Sequence, residues 1–276
     1  MPRCRVPARA RLPGYLWSAR RGDRPARFVV RDESFTNNLR VHTMTQHADH
    51  SATATTGPAA APAPTPAAEA PMTVRFKEGC WDLHQSAEAA DLPKRLLKGQ
   101  LSRDEYAQYL GQMLLLARTL DERVIQARSD VPALAALVDD AQLQAPYLEA
   151  DLKALGVEPG SVDPLPETAN AIRLVADAAA NDPLALLGLH YVREGANNGN
   201  RFIAMKLRQV MNLEGSQATR YLDPYGDEQP ARWAAFKQTL DQQPFTPEEK
   251  DRLVAAAREM FLAIMAVNEG VARNAG

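Results

Sequence analysis

Lys77 to Glu88 reads KEGCWDLHQSAE. Wound as an α-helix, it brings Lys77, Trp81, His84 and Glu88 onto one stripe at spacings of four, three and four residues. A histidine, the carboxylate that would orient it and a cation two turns away then share a face. A carboxylate within reach of one ring nitrogen fixes the tautomer and makes the other nitrogen a better metal donor. His84 is therefore a candidate metal ligand with Glu88 as its partner. The plainer reading is a solvated i,i+4 pair, with Trp81 anchoring the core.

Outward from this helix, residues 72–276 show helical periodicity and no strand-like alternation, so the expected fold class is all-α, a single-domain multi-helix bundle. The first helix is expected from Thr73, as N-cap, to Ala90. A turn at Pro93 follows, then a short helix closed by Gly99, and Ser102 opens a long helix with Asp104 and Glu105 in its first turn. Pro132 breaks the chain, Gly156 closes the helix through APYLEADLKALG, and VEPGSVDPLPET is a loop. A helix over Thr168–Ala180 is followed by one capped by Asn181 or Asp182 and running to Glu194. Helices are also expected over Glu228–Gln242 and Pro247–Val271, the last capped by Thr246.

Residues 1–43 hold ten Arg, no Lys and three acidic residues, a charge of +7 that leaves about −9 on the remainder of a chain of net charge −2. Ser51 to Pro71 is almost wholly Ala, Pro and Thr, a composition that cannot pack. Residues 1–71 are expected to be a disordered extension, Arg-rich and then Ala/Pro-rich, ahead of a helical domain over 72–276. The two cysteines, Cys4 and Cys80, supply neither a disulfide framework nor a CxxC zinc pattern. No run approaches the roughly 20 apolar residues of a membrane span. The arginines alone, without aromatic interleaving or a binding fold, do not make a nucleic-acid interface. A cytoplasmic monomer with no membrane or nucleic-acid partner is expected.

The second motif is GANNGN, residues 195–200. Taken plainly, Gly195 ends one helix and an asparagine starts the next. Taken functionally, Gly195 and Gly199 make a face without side chains where the backbone of a kinked helix approaches a flat ligand. An axial histidine on one helix and a bare glycine face on another would sandwich a porphyrin.

With these motifs in place, residues 72–276 resemble a biliverdin-producing haem oxygenase of bacterial type, an all-helical family that holds haem between a proximal helix carrying HxxxE and a glycine-rich, kinked distal helix. The resemblance is carried by KEGCWDLHQSAEAADLPKRLLKGQLSRDEYAQYLGQM, by HYVREGANNGNRFIAMKLRQV and, more weakly, by WAAFKQTLDQQPFTPEEKDRLVAAAREMFLAIM. It implies that His84 is the proximal ligand to haem iron, Glu88 its hydrogen-bond partner and Ala87 a porphyrin contact. It directs Lys77 and Lys237 at haem propionates, and it makes Gly195, Asn198 and Gly199 the catalytic distal wall. The sequence departs from several well-known members at Ala196, where they carry an Asp, and at Asn200, where many have a second glycine.

The activity so implied is oxidative cleavage of haem, both cofactor and substrate, to biliverdin, carbon monoxide and ferrous iron, using O2. Electrons come from an external reductant such as ferredoxin, flavodoxin or a reductase, because the chain has no flavin or nicotinamide fingerprint. Two other readings stand beside it. One is a haem carrier or sensor on the same fold, motivated by Ala196 and Asn200. The other is a non-haem di-metal oxygenase using His84, Glu88, His190 and Glu194.

Overall fold

A computed structural model describes residues 70–274, which contain helices and loops and no strand. Among them nine α-helices follow in order: α1 Met72–Ala89, α2 Asp91–Lys98, α3 Arg103–Ala127, α4 Pro132–Leu137, α5 Ala145–Ala154, α6 Pro166–Asn181, α7 Ala185–Val210, α8 Gln229–Asp241 and α9 Pro247–Asn274. The fold class is the one expected. The extension expected over residues 1–71 lies outside the described residues, Ala70 and Pro71 excepted. No helix among the described residues is long and apolar enough to cross a membrane.

Several boundaries follow from local chemistry legible in the sequence. Ser102 opens α3 with a capping box, its hydroxyl accepting from Glu105 N at 3.1 Å while the Glu105 carboxylate accepts from Ser102 N at 2.7 Å. Thr246 and Glu249 repeat the arrangement at α9, at 3.2 and 2.8 Å. Gly99 closes α2 at φ +64°, a left-handed conformation that costs glycine nothing.

Other boundaries differ. Thr73 lies inside α1, and its amide and hydroxyl both bind the Asp241 carboxylate of α8, at 2.9 and 2.7 Å; a tertiary partner takes the place of the cap. Pro93 makes no turn and sits in the first turn of α2, where the missing N–H is not needed. The largest correction concerns GANNGN. α7 runs unbroken from Ala185 to Val210, so Gly195 ends no helix. The asparagines spend their amides within the helix: Asn198 Nδ2 donates to Gly195 O at 2.9 Å and Asn197 Nδ2 to Glu194 Oε2 at 3.3 Å. Asn197 is buried, and packing on α9 overrides the weak helix propensity of Gly and Asn.

α9 is the floor on which both α1 and α7 lie. A Cβ on Gly188 of α7 would overlap the Leu253 carbonyl and stand 2.9 Å from Ala256 Cβ, so the two backbones touch there. From α1, Arg75 pairs with Asp251, Gly79 rests on Val254, and Asp82 takes the Arg258 guanidinium at 2.7 and 2.9 Å. These α1 contacts advance together along both helices, and Asp182, just ahead of α7, takes Arg252 at 2.9 Å before Gly188 meets Leu253 and Ala256, so α1 and α7 run in the same sense as α9. Phe76 of α1 stacks on Tyr191 of α7 with ring centroids 3.9 Å apart. His84 and Gly199 each lie eight residues past that contact, about 12 Å along their helices. They therefore occupy the same end of the bundle.

Candidate functional site

α1 buries Met72, Phe76 and Cys80 and turns its neighbouring stripe outward. Lys77, Trp81 and Glu88 on that stripe are exposed, and Ala87 is half-buried. Trp81 is 42% exposed and does not anchor the core, which corrects the plainer reading of the stripe. Its indole lies parallel to the His84 ring at 5.6 Å, and Phe261 of α9 meets the same ring edge-on at 6.2 Å. His84 Nδ1 stands 3.8 Å from Glu88 Oε1, ion-pair range and longer than a hydrogen bond. Glu88 thus faces Nδ1, which makes Nε2 the nitrogen available by chemistry to a metal.

On α7 the two glycines are not equivalent. A Cβ built on Gly195 would meet Trp233 Cη2 of α8 at 3.5 Å, an ordinary contact distance. A Cβ on Gly199 would meet nothing within 4 Å. A side chain at Gly195 would thus stand beside the α8 indole, and one at Gly199 would face open space. Lys237, one turn beyond Trp233, holds its ammonium 5.7 Å from the indole centroid, within cation–π range. Asn198 accepts at Oδ1 from Gln229 Nε2 of α8 at 3.2 Å.

Behind α7 lies a cavity of about 120 Å³, to which Ala196, Asn200 and Ile203 contribute one wall. Arg193, Gln144, Tyr221 and Asn268 add polar groups to it, and α3 an apolar side. Arg193 is 5% exposed and forms a buried ion pair with Asp121, whose second oxygen accepts from Ala145 N at 2.8 Å. The same guanidinium stands 3.0 Å from His190 Nδ1, while His190 Nε2 lies 3.4 Å from the Gln142 amide. Burial, with Arg193 and Arg128 nearby, holds the His190 imidazole well below its usual range, hence neutral. Both of its nitrogens are engaged. Among the described residues no group of three or more His, Cys, Asp or Glu could hold a metal ion, and the di-metal reading with His190 and Glu194 loses its ligands.

Glu194 instead accepts from the Tyr225 hydroxyl at 3.0 Å. Burial pushes its carboxyl up from 4.5 to about 7, against the Tyr225 bond and the charges of Arg193 and Arg232. The folded chain therefore holds this proton more tightly than the unfolded one, and stability is lost as pH rises from about 4.5 through about 7. At pH 8 the buried charge costs about 3 kcal/mol. Glu194→Gln keeps the acceptor and removes the charge, so in thermal melts it should exceed the wild type at pH 8 and converge with it near pH 5. Asp151, pushed up to about 6 by burial, is common to both proteins and cancels in the comparison. An equal gap at both pH values would contradict this account.

His84, Glu88, Ala87 and Lys77 share α1, Gly195, Asn198 and Gly199 share α7, and Lys237 stands beside Trp233 on α8. Sequence reasoning missed Trp233, Phe261 and the Arg193–Asp121 pair. The first two lie in the weakest matching stretch, and a buried ion pair between residues 72 positions apart leaves no local signal.

One family model matches the chain, and the solved structures that share its fold come from more than one family. Residues 70–269 match the family model described as Heme oxygenase. A heme oxygenase from Xanthomonas campestris pv. campestris (strain 8004) is 28% identical over 167 residues, 59% of this chain and 88% of that protein. The structure of heme oxygenase-1 from the cyanobacterium Synechocystis sp. PCC6803, in complex with heme, superposes with a TM-score of 0.69 at 21% identity, covering 75% of this chain and 94% of that one. A TenA homologue protein from P. horikoshii OT3 shares the fold at a TM-score of 0.55 and 14% identity, over 75% of this chain and 100% of its own.

Proposed function

The chain belongs to the haem oxygenase family, and from that membership and the arrangement of α1 and α7 we propose that it binds haem at His84 and cleaves it oxidatively to biliverdin, carbon monoxide and ferrous iron. The observation that carries the reading is the open stripe of α1, where His84 with Glu88 at 3.8 Å lies at the same end of the bundle as the uncovered backbone of Gly199. These residues fit a haem: an imidazole faced by a carboxylate, flanking aromatic rings, and a backbone at Gly199 that a flat ring can approach.

Bound haem supplies the iron at which O2 is activated and is itself the substrate. Glu88 faces Nδ1 of His84 at 3.8 Å, which leaves Nε2 as the nitrogen that would bind the iron. Ala87, one residue before Glu88, leaves room for the porphyrin beside the ligand. Lys77 and Lys237 neutralise the propionates from α1 and α8. Gly199 lets the α7 backbone come close enough to shape the space above the iron, and Asn198 is tied to α8 through Gln229.

No side chain at position 196 can carry a proton, and that position is Ala196 at the cavity wall. The cavity of about 120 Å³ has room for about four waters. Arg193, Asn200, Gln144 and Tyr221 order them by hydrogen bonds, and the waters deliver protons where an acid would otherwise do so. Electrons enter from a separate reductant, such as a ferredoxin, a flavodoxin or a reductase. Ala196 also favours a second reading, a haem carrier or sensor without turnover. Haem with ascorbate or a ferredoxin system under air separates the two: a growing biliverdin absorption supports the oxygenase, and a haem spectrum that persists supports the carrier.

A further inference from the structure

We infer that Tyr221 is a positioning residue that holds the proton-giving water in the cavity behind α7, a role that Ala196 cannot fill. The inference rests on the haem reading above and deepens it by naming one side chain of that cavity. Tyr221 lines it together with Tyr109, Arg193 and Asn268. The Tyr109 and Tyr221 hydroxyls are hydrogen-bonded, and the bond pushes the Tyr109 phenol up while drawing Tyr221 down, as when Tyr109 donates and Tyr221 accepts. The Tyr221 proton is then left for a partner in the cavity. Burial still keeps this phenol above its ordinary range, so it donates a hydrogen bond without ionising. Two further groups on the cavity are unpaired. Arg193 gives Nη1 to Asp121 and Nη2 to Gln142 O and His190 Nδ1, yet its Nε has no hydrogen-bond partner among the described residues. The same holds for Oδ1 of Asn268 on α9. Both residues are buried, so bulk solvent does not serve these atoms. A water that accepts from Tyr221 and Arg193 Nε and donates to Asn268 Oδ1 keeps one hydrogen to give.

Backbone strain accompanies the placement of this phenol. Ala218 is buried in a left-handed conformation at φ +56°, which a residue with a Cβ adopts only at a cost. Such a backbone persists where its surroundings over-determine it. The segment from Ala218 to Asp223 is held from three helices. From α3 the Tyr106 hydroxyl donates to Ala218 O at 2.7 Å. From α5 the Asp151 carboxylate accepts from Arg220 N and Tyr221 N at 2.9 and 2.8 Å, and so grips the backbone of Tyr221 itself. From α7 Arg208 binds Thr219 and Asp223 at 2.8 and 3.0 Å. The groups that face the phenol are Tyr109 from α3 and Arg193 from α7. One donates to its oxygen and the other sets a positive charge nearby, and both make the remaining hydroxyl hydrogen a stronger donor.

The test is Tyr221→Phe, which keeps the ring and removes the hydroxyl. Haem affinity, titrated at the Soret band, should stay within about twofold of wild type. The midpoint of the acid-to-alkaline spectral transition of the ferric haem complex should rise by at least about half a pH unit, because the alkaline form loses a hydrogen-bond donor. Biliverdin formed per haem in a fixed time, with the same electron donor, should fall at least about tenfold. Ala218→Gly relieves the left-handed strain, so it should melt no lower than wild type and leave the transition unmoved, since Tyr106, Asp151 and Arg208 still hold the segment. Asp151→Asn weakens the grip on Tyr221 N, should move the transition in the same direction as Tyr221→Phe, and takes its place if that variant does not fold. A Tyr221→Phe protein whose transition stays at the wild-type pH overturns the inference. So does Ala218→Gly moving the transition as far as Tyr221→Phe, which would trace the effect to the fit of the segment and not to the hydroxyl. A wild-type chain that gives no Soret shift overturns the haem reading itself, which keeps the two failures distinct.

Discussion

His84→Ala will fold and melt like the wild type, yet lose the Soret band of a histidine-ligated haem and all oxidative turnover. The fold should survive because His84 is not part of the core: its side chain is 32% exposed, and α1 is held by Met72, Phe76, Cys80 and its ion pairs to α9. Haem will still find apolar surface at Trp81 and Phe261, so the loss concerns the ligand more than the cleft. Added imidazole should restore much of the ligated spectrum by filling the space the side chain left. Glu88→Gln should act in the same direction more weakly, since a neutral amide orients the imidazole less strongly than a carboxylate does. An unaltered Soret band in His84→Ala would move the ligand to another residue.

The second large effect is on stability and lies behind α7. Arg193→Met leaves the Asp121 carboxylate buried, 7% exposed, with its cation gone. Breaking a buried pair from one side costs about 3–5 kcal/mol, far more than the pair itself contributes over an apolar replacement. For a domain of this size the melting temperature should fall by about 10 °C. The double variant Arg193→Met/Asp121→Leu should recover most of that loss, because no charge is then stranded. It still leaves Ala145 N without the carboxylate that accepts its hydrogen bond, so recovery should stop short of the wild type. A single variant melting within a degree or two of wild type would show that Asp121 reaches solvent or another cation.

The helical class was legible because its signals are local. Ser102 with Glu105, Thr246 with Glu249, and Gly99 each declare a helix end within four residues, and the structure places ends there. His84 and Glu88 were legible for the same reason, one turn apart on one face. GANNGN misled, since Gly and Asn favour helix ends in isolation, whereas here burial of Asn197 and the close Gly188–Leu253 contact carry α7 straight through. The contact that a side chain at Gly195 would make could not be read from α7 at all. It depends on Trp233, 38 residues away, and on a connection whose course is set by Asp151 and Tyr106 from other helices. Local chemistry thus placed His84 and Glu88 one turn apart on α1, and long-range packing set what stands near each of the two glycines.

One measurement addresses the central claim directly. The wild-type protein loaded with one equivalent of haem, given an electron donor and air, is followed to completion and its product separated by chromatography. The account predicts loss of the Soret band with stoichiometric appearance of biliverdin and carbon monoxide, and neither in His84→Ala. Recovery of intact haem from the wild type under the same conditions would contradict it.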